Sequence, residues 1–98
     1  MSVALFAQNG KIQGRVFNAT NNESLPFTNI VIWGTSIGST SDLDGNFSFT
    51  GLEPGYVRLA ATSVGFENYI SEDILVTNAK IAFINIPMIK LPSSLTRL

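Results

Sequence analysis

The chain has 98 residues, of which 45% are hydrophobic and 13% are charged, a length that fits one domain rather than two. It contains neither cysteine nor histidine, which excludes thiolate zinc sites, disulfide scaffolds, and Ser-His-Asp or Cys-His catalysis. Six Lys and Arg against seven Asp and Glu give a net charge of −1, so the basic excess typical of a nucleic-acid-binding protein is missing.

The first nine residues precede any pattern of strands and turns. Residues 2–7 resemble the end of a signal-peptide apolar region, with Ala7 as a cleavage position. A short first strand over residues 3–6 explains the same stretch equally well. We therefore assign residues 1–9 either to a signal-peptide remnant or to an N-terminal extension.

From Lys11 onward, short apolar runs alternate with turn signals about every 8–12 residues, the spacing of an antiparallel sandwich or barrel. The alternation predicts strands over residues 11–17, 28–33, 38–41 and 46–50. Residues 42–45, Asp-Leu-Asp-Gly, predict a turn, because Asp accepts backbone hydrogen bonds and Gly permits a positive φ.

Further strands are predicted over residues 56–63, over 66–76 with an interruption near Glu72 and Asp73, and over 80–91. The last run is apolar at both parities, which a strand buried on both faces explains. Pro87 indicates that one edge of this strand is unpaired there, or that a bulge intervenes.

These elements predict an all-β fold, a seven-stranded antiparallel Greek-key sandwich, because no segment keeps a helical period over three turns. One face of each main strand should form its core. The predicted core residues are Ile12, Val16, Ile30, Ile32, Phe47, Phe49, Val57, Leu59, Ile84 and Ile86.

A succession of blocks across residues 10–91 carries a family resemblance. The blocks are Gly-Lys-Ile-Gln-Gly-Arg-Val at 10–16, Leu-Pro-Phe-Thr-Asn-Ile-Val-Ile-Trp-Gly-Thr at 25–35, Gly-Ser-Thr-Ser-Asp-Leu-Asp-Gly-Asn-Phe-Ser-Phe at 38–49, Leu-Glu-Pro-Gly-Tyr at 52–56, and Ser-Val-Gly-Phe at 63–66. As a set they resemble the carboxypeptidase regulatory-like domain, also called the carboxypeptidase D regulatory-like or transthyretin-like (prealbumin-like) sandwich. The chain departs from that pattern at Val57 and Phe66, where the family usually has Tyr; both changes are conservative for packing.

Both ends resemble a narrower context, the N-terminal copy of this domain in SusC-type TonB-dependent receptors of Bacteroidetes outer membranes. There a signal peptide ending near an alanine runs directly into the first block, and residues 89–98 resemble the stretch before the TonB box and plug. We therefore divide the chain into the extension 1–9, the sandwich domain 10–91, and a linker 92–98 toward a downstream region.

The resemblance implies a non-catalytic accessory module on the periplasmic side of an outer-membrane receptor that imports glycans or peptides. Its expected partners are proteins, namely the remainder of the receptor and periplasmic or TonB-system components. Two alternatives stay open: a carbohydrate- or peptide-binding module, and a folding or regulatory appendage of a metallopeptidase. No nucleic-acid partner is expected.

The sequence predicts no catalytic, cofactor-binding or metal-ligating residue. Asp42 and Asp44 resemble half of a calcium loop, but Phe47 and Phe49 alternate as a strand, and Gly45 is at the fourth loop position rather than the sixth. We therefore interpret this segment as a turn and expect no cofactor.

Val31 and Trp33 form the candidate interaction surface. If Ile30 and Ile32 face the core, alternation sends Val31 and Trp33 outward. An outward Trp beside Val is typical of a contact surface. The alternative is that Trp33 folds over a loop, near Phe17 or Phe27, and is buried there.

Overall fold

The computed structural model describes residues 10–92, and this range is all-β with nine strands. The strands are β1 (Gly10–Asn18), β2 (Asn29–Ile32), β3 (Gly38–Thr40), β4 (Asn46–Leu52), β5 (Gly55–Val57), β6 (Leu59–Thr62), β7 (Tyr69–Ile70), β8 (Ile74–Val76) and β9 (Ala82–Met88). The predicted signal remnant or first strand lies outside the described residues, as does the predicted linker beyond Pro92. Within that range, no helix is long and apolar enough to cross a membrane.

Two sheets, ordered β4-β1-β9 and β3-β2-β6-β7, pack their inner faces together, and β5 pairs with β8 in a separate two-stranded sheet. Most of the predicted core is buried between the two sheets, namely Ile12, Val16, Ile30, Ile32, Phe47, Phe49, Leu59 and Ile86. Val57 and Ile84 are only partly buried and pack against this cluster. Four further residues complete the core: Leu52, Ala61, Val76 and Met88.

The predicted strand over residues 56–63 is two strands, which is one reason why the described range holds nine rather than seven. Arg58 separates β5 from β6, because β5 pairs with β8 whereas β6 joins β2 in the main sandwich. The predicted interruption near Glu72 and Asp73 is present and separates β7 from β8.

The expectation of a wholly antiparallel sandwich is wrong at one pairing. Strand β1 is antiparallel to β4 but parallel to β9. Parallel neighbours need a long crossover connection, and here the chain supplies it by passing through the second sheet before β9. Gly14 lies where these strands meet: a Cβ there would collide with the carbonyl oxygen of Ile84 and lie 2.7 Å from the ring of Phe47.

Strand β9 is not buried on both faces, so that interpretation of its apolar run is also wrong. It has one neighbour in its sheet, β1, and is therefore an edge strand. Ile86 and Met88 face the core, whereas the side chain of Phe83 is 74% exposed. Pro87 fits the edge position that the sequence indicated, since an edge strand tolerates a missing amide donor.

Candidate interaction surfaces

Trp33 and Val31 lie on the outer face of sheet β3-β2-β6-β7. Ile30 and Ile32 are buried, and alternation along β2 turns Val31 outward, where it is half-buried. The amide of Trp33 donates to the carbonyl of Arg58 at 2.8 Å, which continues the β2–β6 pairing by one residue.

The Trp33 ring is 58% exposed. The structure therefore contradicts the alternative in which the ring is buried near Phe27. Phe27 is itself exposed. The ring stays outside because Ile32 occupies the inward position immediately before it.

The register extends this surface beyond the two predicted residues. Val31 pairs with Ala60, and Ala60 pairs with Ile70 on the next strand, so the three side chains form one row across the sheet. Ile70 is 49% exposed. We call Val31, Trp33, Ala60 and Ile70 the apolar strip. The outward position of Ala60 could have been read from the inward Leu59 and Ala61, but the placement of Ile70 required the pairing of β6 with β7.

An ion pair lies beside the strip. Arg58 Nε is 2.8 Å from Asp73 Oδ1, and both side chains are exposed. Exposed pairs of this kind contribute about 0–1 kcal/mol to stability. This pair therefore adds little to the stability of the fold, and it places two opposite charges next to the strip.

The outer face of sheet β4-β1-β9, together with Ser39 and Thr40 of β3, lines an open groove of about 700 Å³. Its outward side chains fall into two rows across the three strands, set by the pairing of β1 with both neighbours. One row is Ser48, Gln13 and Phe83, and the other is Asn46, Arg15 and Asn85. We call these six residues the polar groove; the sequence analysis did not predict it.

The charged side chain in the polar groove, Arg15, is fixed by neighbouring groups of the chain. Arg15 donates to Ser24 Oγ at 3.0 Å and to the Asn22 carbonyl at 2.8 Å, and its guanidinium lies 5.4 Å from the centre of the Phe17 ring. These contacts fix the guanidinium at one end of the groove.

The predicted turn at Asp42 is confirmed. Asp42 Oδ1 accepts hydrogen bonds from the amides of Asp44 and Asn46, each at 2.9 Å, and Gly45 has a φ of +78°. The carboxylate thus caps its own turn. Among the described residues, no group of three or more acidic side chains could hold a metal ion.

Two sheets packed around a single apolar core define a β-sandwich domain, and the chain belongs to the CarboxypepD_reg-like domain family, whose model matches residues 12–93. The resemblance predicted from the sequence blocks is thereby confirmed at the level of the domain. Among curated proteins, no sequence matches this chain.

Several solved structures share the fold at low identity. The Bacillus anthracis TIE protein is similar with a TM-score of 0.72 at 12% identity, over 86% of this chain and 17% of that one. The group B streptococcus pilus 2b backbone protein has a TM-score of 0.66 at 14% identity, over 91% and 43%. A chain of a type II cohesin–X-dockerin complex from Acetivibrio cellulolyticus has a TM-score of 0.64 at 14% identity, over 81% and 55%. This chain therefore spans about half or less of each.

Proposed function

We propose that this domain is a non-catalytic docking module, the periplasmic N-terminal module of a TonB-dependent outer-membrane receptor that imports glycans or peptides. In this proposal the partner is a protein surface, either the remainder of the receptor or a component of the TonB system. Membership of the CarboxypepD_reg-like family supports an accessory role. The resemblance of residues 7–11 and 89–98 to the sequences that flank this domain in such receptors supports the receptor context.

The apolar strip carries the docking proposal. Trp33 is 58% exposed and lies two residues along the chain from Val31, which shares a row with Ala60 and Ile70. Large aromatic side chains next to aliphatic ones are enriched at the centres of protein interfaces, where their burial contributes most of the binding energy. The sheet beneath the strip is rigid, so little conformational entropy is lost when a partner covers it.

The carboxylates support a non-catalytic role. Glycoside hydrolysis, for example, uses two carboxyl groups that flank the bond to be cleaved. The polar groove has a single carboxylate at its margin, Asp42, and both of its contacts belong to its own turn.

The docking test measures binding of the domain to the segment that follows it in the parent protein, produced separately. Trp33→Ala should weaken this complex about tenfold or more, because it removes the largest exposed ring of the strip. Tyr56→Ala is the control for an exposed ring that is not part of the strip: Tyr56 is 70% exposed and lies on β5, which pairs with β8 rather than with β2 or β6. Its substitution should leave the affinity unchanged.

Two results would contradict the proposal in different ways. Equal affinities for wild type and Trp33→Ala would remove the strip as the docking surface. A zinc peptidase domain, rather than a plug and barrel, in the same reading frame would remove the receptor context and favour the metallopeptidase appendage.

A further inference from the structure

We propose that the polar groove binds a neutral oligosaccharide. This inference does not depend on the docking proposal, because no residue of the apolar strip lines the groove. The ligand class follows from three features of the groove: an exposed ring, amide and hydroxyl side chains without hydrogen-bond partners among the described residues, and one cation balanced by one carboxylate at the margin.

Phe83 supplies the apolar platform. Its ring is 74% exposed on an edge strand whose inward neighbours, Ile84 and Ile86, pack toward the core. The face of an aromatic ring is electron-rich, so it attracts the weakly positive hydrogens of C–H groups placed over it. One face of a pyranose ring presents such C–H groups, so a sugar can stack on Phe83 while its hydroxyls point sideways.

The strand register sets polar groups around that platform. Ser48 and Gln13 share a row with Phe83, and Asn85 lies two residues along β9 from the ring. Neighbouring strands are about 4.8 Å apart, and successive outward residues about 7 Å, so the patch measures roughly 10 Å by 7 Å. Two linked sugar rings fit on a patch of this size.

The amide and hydroxyl side chains of the groove are available to a ligand. Among the described residues, no hydrogen bond engages the side chain of Gln13, Ser48 or Asn85. A carboxamide offers two donors and an acceptor oxygen, and a hydroxyl offers both functions. Sugar hydroxyls also donate and accept, so they match this set better than an apolar or purely anionic ligand.

The distribution of charge selects a neutral ligand. Arg15 donates to Ser24 and Asn22, and Asp42 accepts from its own turn, so both charged groups are hydrogen-bonded within the chain. One cation and one carboxylate leave the groove and its margin with no net charge. The five other side chains of the polar groove are uncharged, namely Ser48, Gln13, Phe83, Asn46 and Asn85. A nucleic acid or a sulfated glycan needs several free cations along its path, which this face does not offer.

The test titrates the isotopically labelled 98-residue chain with maltohexaose, cellohexaose, xylohexaose and mannohexaose, and follows amide signals by NMR. At least one of these should shift the signals of Gln13, Ser48 and Phe83, with a dissociation constant of about 0.1–1 mM, because an open groove encloses little of the ligand. Phe83→Ala should weaken that binding about tenfold or more. Gln13→Ala should weaken it about threefold, since one hydrogen bond is lost.

Tyr56→Ala is again the control, because it removes an exposed ring outside the groove and should leave the affinity unchanged. The proposal is overturned if none of the four hexasaccharides moves the groove signals, or if the shifts lie around Trp33 instead. It is also overturned if heparin binds the groove more tightly than every neutral sugar, or if an extended peptide shifts these signals and the sugars do not.

Discussion

The outer face of sheet β4-β1-β9 carries amides, hydroxyls and one exposed ring, whereas that of sheet β3-β2-β6-β7 carries a row of aliphatic side chains next to Trp33. Both faces come from the same alternation of residues, and both cover the same core. The inward positions are constrained by packing, but the outward ones are free to differ. The different outward residues of the two faces therefore indicate that the two faces contact different ligands or partners.

The two faces differ in how they tolerate water. A polar row stays hydrated without cost and exchanges its water for a ligand reversibly. An apolar row gains about 25 cal/mol for each Å² that a partner covers. The first face suits a weak and reversible ligand, and the second suits a protein surface that stays in place.

A large effect should come from Gly14, on the central strand of sheet β4-β1-β9. Gly14→Ala should lower the free energy of unfolding by about 3 kcal/mol, because the new Cβ collides with the backbone carbonyl of Ile84 and with the Phe47 ring. The pairing of β1 with β9 must then shift, which also displaces Phe83 from the groove. Urea unfolding measures the loss.

Gly38 on β3 is the matched control in the other sheet. A Cβ there meets its nearest atom, the Ile30 carbonyl oxygen, at 3.4 Å, which is ordinary contact. Gly38→Ala should therefore be neutral or stabilise by about 0.5 kcal/mol, since Gly weakens a strand interior. Similar losses for both variants would show that the strand pairing at Gly14 is not as tight as the structure has it.

A smaller effect is expected at two buried serines, one beside each face. Ser41 Oγ accepts from the Thr28 amide at 2.9 Å and donates to the Leu25 carbonyl at 2.7 Å. Ser41→Ala should cost about 2 kcal/mol, because two buried backbone groups in another segment lose their partner. Thermal unfolding of the variant measures this cost.

Ser71 makes the comparable contacts beside the apolar strip. Its Oγ accepts from the Leu59 amide at 2.9 Å but donates to the carbonyl of the adjacent residue, Glu72. Ser71→Ala should cost less, about 1 kcal/mol, because one of its two bonds is local and can be replaced by water. A Ser71 variant less stable than the Ser41 variant would reverse this order.

The inward half of the fold could be predicted from sequence because alternation is a local signal. Ile12 and Val16, or Phe47 and Phe49, are separated by even steps along one strand, and each pair is buried. Val76 was missed because it lies on the separate strand β8, whose contact with β1 near Gly10 no local pattern in the sequence shows.

The polar groove could not be predicted in the same way. It depends on Ser48, Gln13 and Phe83 lying side by side, and these come from strands that are far apart in sequence. The path of the chain through the second sheet sets the parallel β1–β9 register, and no local pattern encodes that path. The available signal was alternation: because Ile84 and Ile86 are predicted to face the core, Phe83 should point outward.

The smallest effects on stability should come from the exposed rings themselves. Trp33→Ala and Phe83→Ala should each change the free energy of unfolding by about 1 kcal/mol or less, because much of each ring is in water in the folded domain. Phe49→Ala, which removes a buried ring, should cost about 3–5 kcal/mol in the same urea titration. A loss above about 2 kcal/mol for either exposed ring would assign it to the support of the fold. If both variants lose little stability, the two exposed rings are not needed for folding. Binding then explains why each face exposes an aromatic ring.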